Sequence, residues 1–171
     1  EWASIIDTAS ARQAFVEAGG KFDGPSVINF LLRDPANRSS VISVTEAARN
    51  NARLVRTALT REVWEAVNET WITLKSALAR PVKETDLPDV LALIRNQSAL
   101  VRGATVGTML RNDIYNFARV GTFIERADNI ARILDVKYYV LLPSVQFVGS
   151  TLDNVQWETI LRAASAERSF R

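Results

Sequence analysis

The sequence predicts an all-α protein, a multi-helix bundle of about six to seven helices joined by short loops. Three observations predict it. Apolar residues recur at spacings of three and four along most of the chain, the period of a helix with one covered face. No stretch alternates apolar and polar residues as a half-covered strand does. Helix start and stop signals punctuate the chain at intervals that suit helices of ordinary length. At 171 residues, 47% apolar and 23% charged, the chain is long enough for one sizeable core and has a globular composition.

Residues 1–18 read as a helix that stops at Gly19-Gly20. Residues 21–25 form a turn, and Ser26 opens the short apolar run VINFLL, one or two covered helical turns. Asp34, Pro35, Ala36, Asn37 and Arg38 are turn chemistry, with Asp34 and Asn37 read as turn and cap residues. Ser39 or Ser40 then caps a helix to about Leu59. Its apolar side carries Val41, Val44, Ala48, Ala52 and Val55, and its polar stripe Glu46, Arg49, Asn50, Arg53 and Arg56. Thr60 caps the next helix, which runs to about Ala79 with Trp64, Val67, Trp71, Leu74 and Leu78 as its apolar stripe. A loop over residues 80–86 leads to Pro88, a first-turn proline, and a helix to about Leu110. Its segment GATVGT (103–108) is rich in small residues, which permit close approach or mark a kink. Residues 143–150 form a loop, and 151–166 a final helix with Trp157, Ile160 and Leu161.

The longest helix is expected over residues 112–141, free of proline and with Gly121 as its one glycine. Phe117, Val120, Ile124, Ala127, Ala131, Leu134 and Tyr138 fall on one broad apolar face, which would line the bundle interior. Glu125, Asp128, Arg132 and Asp135 form a second stripe, with Asn129 at its edge. Residues three and four apart on a helix are neighbours, so Asp128 and Arg132 suit an ion pair. Trp64, Trp71, Trp157 and Phe117 read as core aromatics.

The chain has no Cys and no His. Disulfides, thiolate metal sites and thiol nucleophiles are therefore excluded within it, as are His-based triads and His-ligated metal sites. Lys and Arg number 21 against 19 Asp and Glu, a formal charge of +2 that gives no strong argument for nucleic acid. Arg49, Arg53, Arg56 and Arg61 cluster, as do Arg162 and Arg168, but acids balance them and no aromatic residue interleaves at base-stacking spacing. No nucleic-acid partner is expected. No apolar run approaches a membrane span and no signal segment opens the chain, so a cytoplasmic protein without a membrane partner is expected.

The segment FARVGTFIERADNIARILDVK (117–137), with Glu125-Arg126 at its centre, resembles the alpha-E domain family, bacterial helical proteins named for a Glu-Arg pair. DPANRSS (34–40), AARNNAR (47–53), VWEAVN (63–68) and GTMLRND (107–113) support the resemblance, in the order expected of the later part of such a protein. The family more often has Glu where this chain has Asn50. The resemblance implies that residues 1–171 are one all-helical domain belonging to a longer two-half protein, whose first ER helix lies upstream. It also implies company with an ATP-grasp-type amide ligase and a transglutaminase-like peptidase. The chain would then be an accessory or binding component of a bacterial peptide ligation or peptide-tagging system.

The candidate binding residues are Glu125, Arg126, Asp128, Asn129 and Arg132 on the long helix, and Arg49, Asn50 and Arg53 on the earlier one. Two readings hold for them. They form an inter-helix salt-bridge network, or they line a groove that takes an anionic peptide or another carboxylate, for which Arg forks are suited. Either way, Glu125 and Arg132 should have charged or hydrogen-bonded partners, because burying them alone is costly. An alternative assigns Mg²⁺ to the carboxylate pairs Glu62 and Glu65 with Glu125 and Asp128, making a helical hydrolase or ligase. A first-turn role at the helix N-terminus explains Glu62 and Glu65 equally well. A third reading is a structural assembly module.

Overall fold

The computed structural model describes residues 2–137, 146, 148–164, 166 and 168, and all of its regular elements are helical. Eight α-helices lie among these residues: α1 (Trp2–Thr8), α2 (Arg12–Glu17), α3 (Gly24–Arg33), α4 (Val41–Leu54), α5 (Arg61–Ala77), α6 (Leu87–Thr108), α7 (Asp113–Val136) and α8 (Thr151–Ala163). They fall into two compact units. One comprises residues 13–119 with Trp2, and the other residues 3–12 and those from 120 onward. The expected end of the long helix, residues 138–141, lies outside the described residues.

The expected first helix is in fact two. Ser10 takes a left-handed φ of 49°, its N–H bonds to the Asp7 carbonyl, and the Ala11 N–H reaches back to Ile6. That is a Schellman ending, for which serine carries no strong sequence signal. Arg12 spans the break by pairing with Asp7, and the guanidinium's hydrogen bond holds the Asp7 carboxyl below its usual range. The second ending, by contrast, follows the sequence. Gly19 sits at φ 72°, and Gly20 bonds back to Phe15. Gly20 has a further reason to be glycine, since a Cβ there would strike the Phe15 ring.

In the unit of residues 13–119, Asp23 caps α3 by accepting from the Ser26 N–H, Ser40 caps α4 through Ser43, and Thr60 caps α5 through Val63. The turn before α4 closes on its own side chains. Asp34 accepts from the Ala36 N–H, and buried Asn37 donates to the Phe30 carbonyl while accepting from Ser39. Asn37 and Asp34 are thus turn residues, as their chemistry predicts.

The core of this unit is the buried cluster Ile28, Leu32, Leu78 and Val82, with Trp2, Val41, Ile42, Leu87, Val90 and Ile94 packed around it. Phe15 adds an aromatic corner, its ring 5.1 Å from Phe22 and 5.0 Å from Phe30. Helices α4, α5 and α6 run alternately up and down. Thr60 at the start of α5 meets Thr108 at the end of α6, and Thr70 bonds to Gln97 midway. Polar side chains of α3 fasten the loop after α5. Asn29 donates to the Val82 carbonyl and accepts from its N–H, while Arg33 donates to the Leu78 and Ala79 carbonyls.

Three expectations are corrected here. On α5 Leu74 and, at its end, Leu78 are buried as expected, but over the earlier turns the covered stripe is Val63, Ala66 and Thr70, one position round from Trp64, Val67 and Trp71. Trp64 and Trp71 sit half-buried at its margin. On α4, Ala52 is buried but Val44 and Val55 are exposed. In the small-residue segment of α6, the helix runs unbroken, and a Cβ at Gly103 or Gly107 would meet nothing within 4 Å. Close approach therefore does not account for these glycines.

The largest correction concerns α7. No described residue from Asp113 to Asp135 is buried. Phe117, expected in the core, is 77% exposed, and Val120 and Ile124 are exposed with it. Among the described residues, no helix is long and apolar enough to cross a membrane.

Candidate functional site

Arg49 of α4, and Arg56 just beyond its end, meet α5, and what receives them is an amide and tryptophan rings rather than the expected carboxylates. Arg49 donates from Nε to Asn68 Oδ1 at 2.7 Å, and its guanidinium carbon lies 4.3 Å from the centre of the Trp71 ring. Lys75 brings a second cation to the same ring, at 4.5 Å. One antiparallel step away, Arg56 lies 5.3 Å from the centre of the Trp64 ring. These placements follow from the local sequence. Trp64 and Trp71 are seven residues apart and so recur on one side of α5, while Arg49 lies on α4 and Arg56 opens the short 3-10 turn just beyond its end.

The electrostatics of this face are one-sided. Arg49, Arg53, Arg56 and Lys75 have no carboxylate partner among the described residues. Arg61 does, pairing with Glu65 at 2.7 Å. Arg53 and Asn50 are exposed, whereas Arg49 is half-buried. The Nη groups of Arg49 make no hydrogen bond among the described residues. A ring face is attractive to a cation but neutralises no charge, so it holds the guanidinium in place with its fork still available. Such a group is suited to a carboxylate or phosphate oxygen pair.

The other set of expected residues lies on α7. Arg132 Nε meets Asp128 Oδ2 at 2.7 Å across one helical turn, and Glu125 Oε1 accepts from Asn129 Nδ2 at 3.2 Å. Glu125 and Arg132 therefore have the partners that charge burial calls for, although they find them on their own helix and away from any core. The hydrogen bond to Asp128 raises the pKa of Arg132. Exposed pairs of this kind contribute little to stability. Arg126 is exposed and makes no ion pair among the described residues.

For the alternative metal set, Glu62 and Glu65 lie at the start of α5, and Glu65 is engaged by Arg61. Among the described residues, no group of three or more acidic side chains is placed to hold a metal ion. Within the unit of residues 13–119, a shallow cleft of about 330 Å³ lies beside α3, lined by Phe15, Asn29, Phe30, Arg33 and Asp34. Its polar side chains are occupied in fastening the chain: Asn29 and Arg33 hold the loop after α5, and Asp34 closes its own turn.

Sequence reasoning missed one polar site. Lys137 is fully buried and donates to Asp153 Oδ1 at 2.5 Å. Asp153 Oδ2 also accepts from the Gly149 N–H, and the Trp157 ring centre is 5.5 Å from Lys137 Nζ. The Lys137 bond first, and then the Gly149 bond, hold the Asp153 carboxyl below its usual range. Ser150 caps α8 and so fixes Asp153 in its first turn. The cap is legible in the sequence, but the Lys that reaches it is 16 residues away.

The family model of the Alpha-E domain, described as a predicted alpha-helical domain with a conserved ER motif, matches residues 1–171. No curated protein and no solved structure matches the chain.

Proposed function

The chain belongs to the alpha-E domain family, and from that premise we propose that it is a binding component of a bacterial ATP-grasp-linked peptide ligation or tagging system. Its α4–α5 face takes a carboxylate of the peptide. The observation that carries this reading is Arg49, which is anchored by Asn68 and Trp71 while its terminal nitrogens stay unengaged among the described residues. Arg53, Arg56 and Lys75 add cations with no carboxylate partner among those residues. An amide ligase handles carboxyl groups, so a companion that presents or recognises an acidic peptide has a use for such a face. The ligase, and the transglutaminase-like peptidase beside it, are the partners that the family resemblance implies. Glu125 and Arg126, both exposed on α7, are the residues offered to that ligase.

Two measurements test the reading. In the first, a fluorescent peptide rich in Glu is titrated against the full chain. Arg49→Gln and Arg53→Ala should weaken binding about tenfold or more, each step of that size being about 1.4 kcal/mol. Arg49→Lys should recover it only in part, since a point charge replaces a fork. Equal binding by the wild type and all three variants would remove the α4–α5 face from the reading. In the second, the chain is co-purified with its ATP-grasp ligase, wild type against Glu125→Gln. Association that is absent in the wild type, or unchanged in a folded Glu125→Gln protein, counts against the role given to α7.

A further inference from the structure

Helix α7 carries a second feature that the anionic-peptide reading does not use. Val120, Ile124, Ala127, Ala131 and Leu134 recur at steps of four, three, four and three. That is the seam spacing of a helix that packs against another helix along its length. Val120 is 52% exposed and Ile124 66% exposed, and Ala127 and Ala131 are exposed with them. A continuous row of this length is more than the single apolar residues that a protein surface ordinarily carries. The two alanines in its second half leave room for a partner backbone to come close.

The edges of the seam differ in chemistry. Along one edge stand Asp128 and Asp135, one heptad apart. Along the other stand Phe123, 52% exposed, and Ile130, 45% exposed, with Lys137 one heptad further on, buried and paired with Asp153. Arg132 engages one oxygen of Asp128, and Asp135 makes no ion pair among the described residues. The edge is therefore acidic, and it sets the partner. A second copy of this chain fits poorly. Paired antiparallel, the Asp128–Asp135 edge would meet itself, and paired parallel, it would meet the apolar edge. Neither arrangement brings a cation to the carboxylates, and edge charges decide partner and orientation in helix pairs.

We propose that the seam over residues 120–134 docks a helix of another protein, amphipathic, with an apolar stripe and Lys or Arg along the edge that meets Asp128 and Asp135. This is helix-to-helix recognition, with apolar anchors giving affinity and the charged edge giving selection. It is independent of the α4–α5 face, which lies on other helices.

The test uses the full chain and two synthetic peptides of about three heptads. Both have Leu and Ile along the seam. One carries Lys at the flanking positions and the other Glu. Binding is followed by fluorescence anisotropy at low and moderate salt. The Lys peptide should bind about tenfold or more tighter than the Glu peptide, with the gap narrowing as salt rises. Ile124→Glu should abolish binding, and Asp128→Lys with Asp135→Lys should invert the preference. All three positions are exposed, so circular dichroism should show an unchanged fold. The carboxylate-recognition experiment on Arg49 should be indifferent to these variants. Equal binding of the two peptides, or binding of neither, overturns the proposal. So does concentration-dependent self-association that Ile124→Glu removes, which would give the seam to a second copy.

Discussion

Asn29 is the side chain whose removal should cost the fold most for the fewest atoms. Its amide joins α3 to a loop 53 residues later, accepting from the Val82 N–H at 3.0 Å and donating to the Val82 carbonyl at 3.4 Å. It also donates to the Pro25 carbonyl at 2.7 Å. Val82 is 6% exposed and belongs to the buried cluster. In Asn29→Ala its N–H loses the partner it has among the described residues. A covered donor left without a partner costs about 1–3 kcal/mol, so a loss of about 2 kcal/mol is expected from urea unfolding of the full chain at unchanged m-value. Amide exchange gives the sharper reading. The Val82 N–H should lose its protection in Asn29→Ala but retain it in Asn29→Asp. Aspartate keeps the accepting oxygen, but it removes the two donations and sets an anionic oxygen against the Pro25 carbonyl, so overall stability should still fall. If Asn29→Ala costs less than about 0.5 kcal/mol, or the Val82 amide exchanges as slowly as before, the clamp is not what holds this loop to α3.

Four further outcomes are expected. Leu78→Ala should cost about 2–5 kcal/mol in urea unfolding, because Leu78 is 3% exposed within the core cluster. Phe117→Ala should fall within about 0.5 kcal/mol, and a large loss there would return the apolar face of α7 to the core. Gly20→Ala should lower stability by about 1–3 kcal/mol, since its Cβ would strike a Phe15 ring that is itself buried. Asp153 titrates in the folded chain below its ordinary value of 3.8. Its contribution to stability is therefore fully present above that value and is lost as pH falls through the folded one. The melting temperature should hold between about pH 5 and 7 and drop in more acid solution, and Asp153→Asn should flatten part of that drop, with an unaltered slope arguing against the pair.

The elements legible in the sequence are those whose cause is local. A cap needs one hydroxyl or carboxylate and the next three residues, so the residue pattern alone locates the Thr60 cap, and the Ser40 cap to within one residue. Gly19 is legible because a left-handed helix ending favours glycine. Ser10 makes the same ending without the residue that announces it, so periodicity runs α1 and α2 together as one helix. The helix faces are harder. On α5 the tryptophans dominate any count of apolar residues, yet Ala66 and Thr70 are the ones covered, with Thr70 bonded to Gln97 of α6. Small residues let two helices approach, while large flat ones remain useful at the margin, where a cation can lie on the ring. The same margin explains the candidate site. Arg49 reads as a partner for carboxylates because charge is visible in a sequence, whereas an Asn and a Trp some 20 residues away are not visible as the partners of its guanidinium.

Periodicity in a helix states that one face is apolar and says nothing about what covers it. Helix α7 carries apolar residues at seam spacing, yet no described residue from Asp113 to Asp135 is buried, while the core of residues 13–119 rests on other helices. The two facts have one explanation if the seam serves another molecule. A surface that meets a separate helix must repeat, because the partner repeats. The Glu125-Arg126 pair sits within that repeating segment and outside any core, with Glu125 held by Asn129 and Arg126 unengaged in ion pairs among the described residues. A motif whose purpose was packing would be covered. The pair's exposure beside an uncovered seam is what supports the association proposed for it, and the two peptide titrations on α7 and on α4–α5 separate the partner from the ligand.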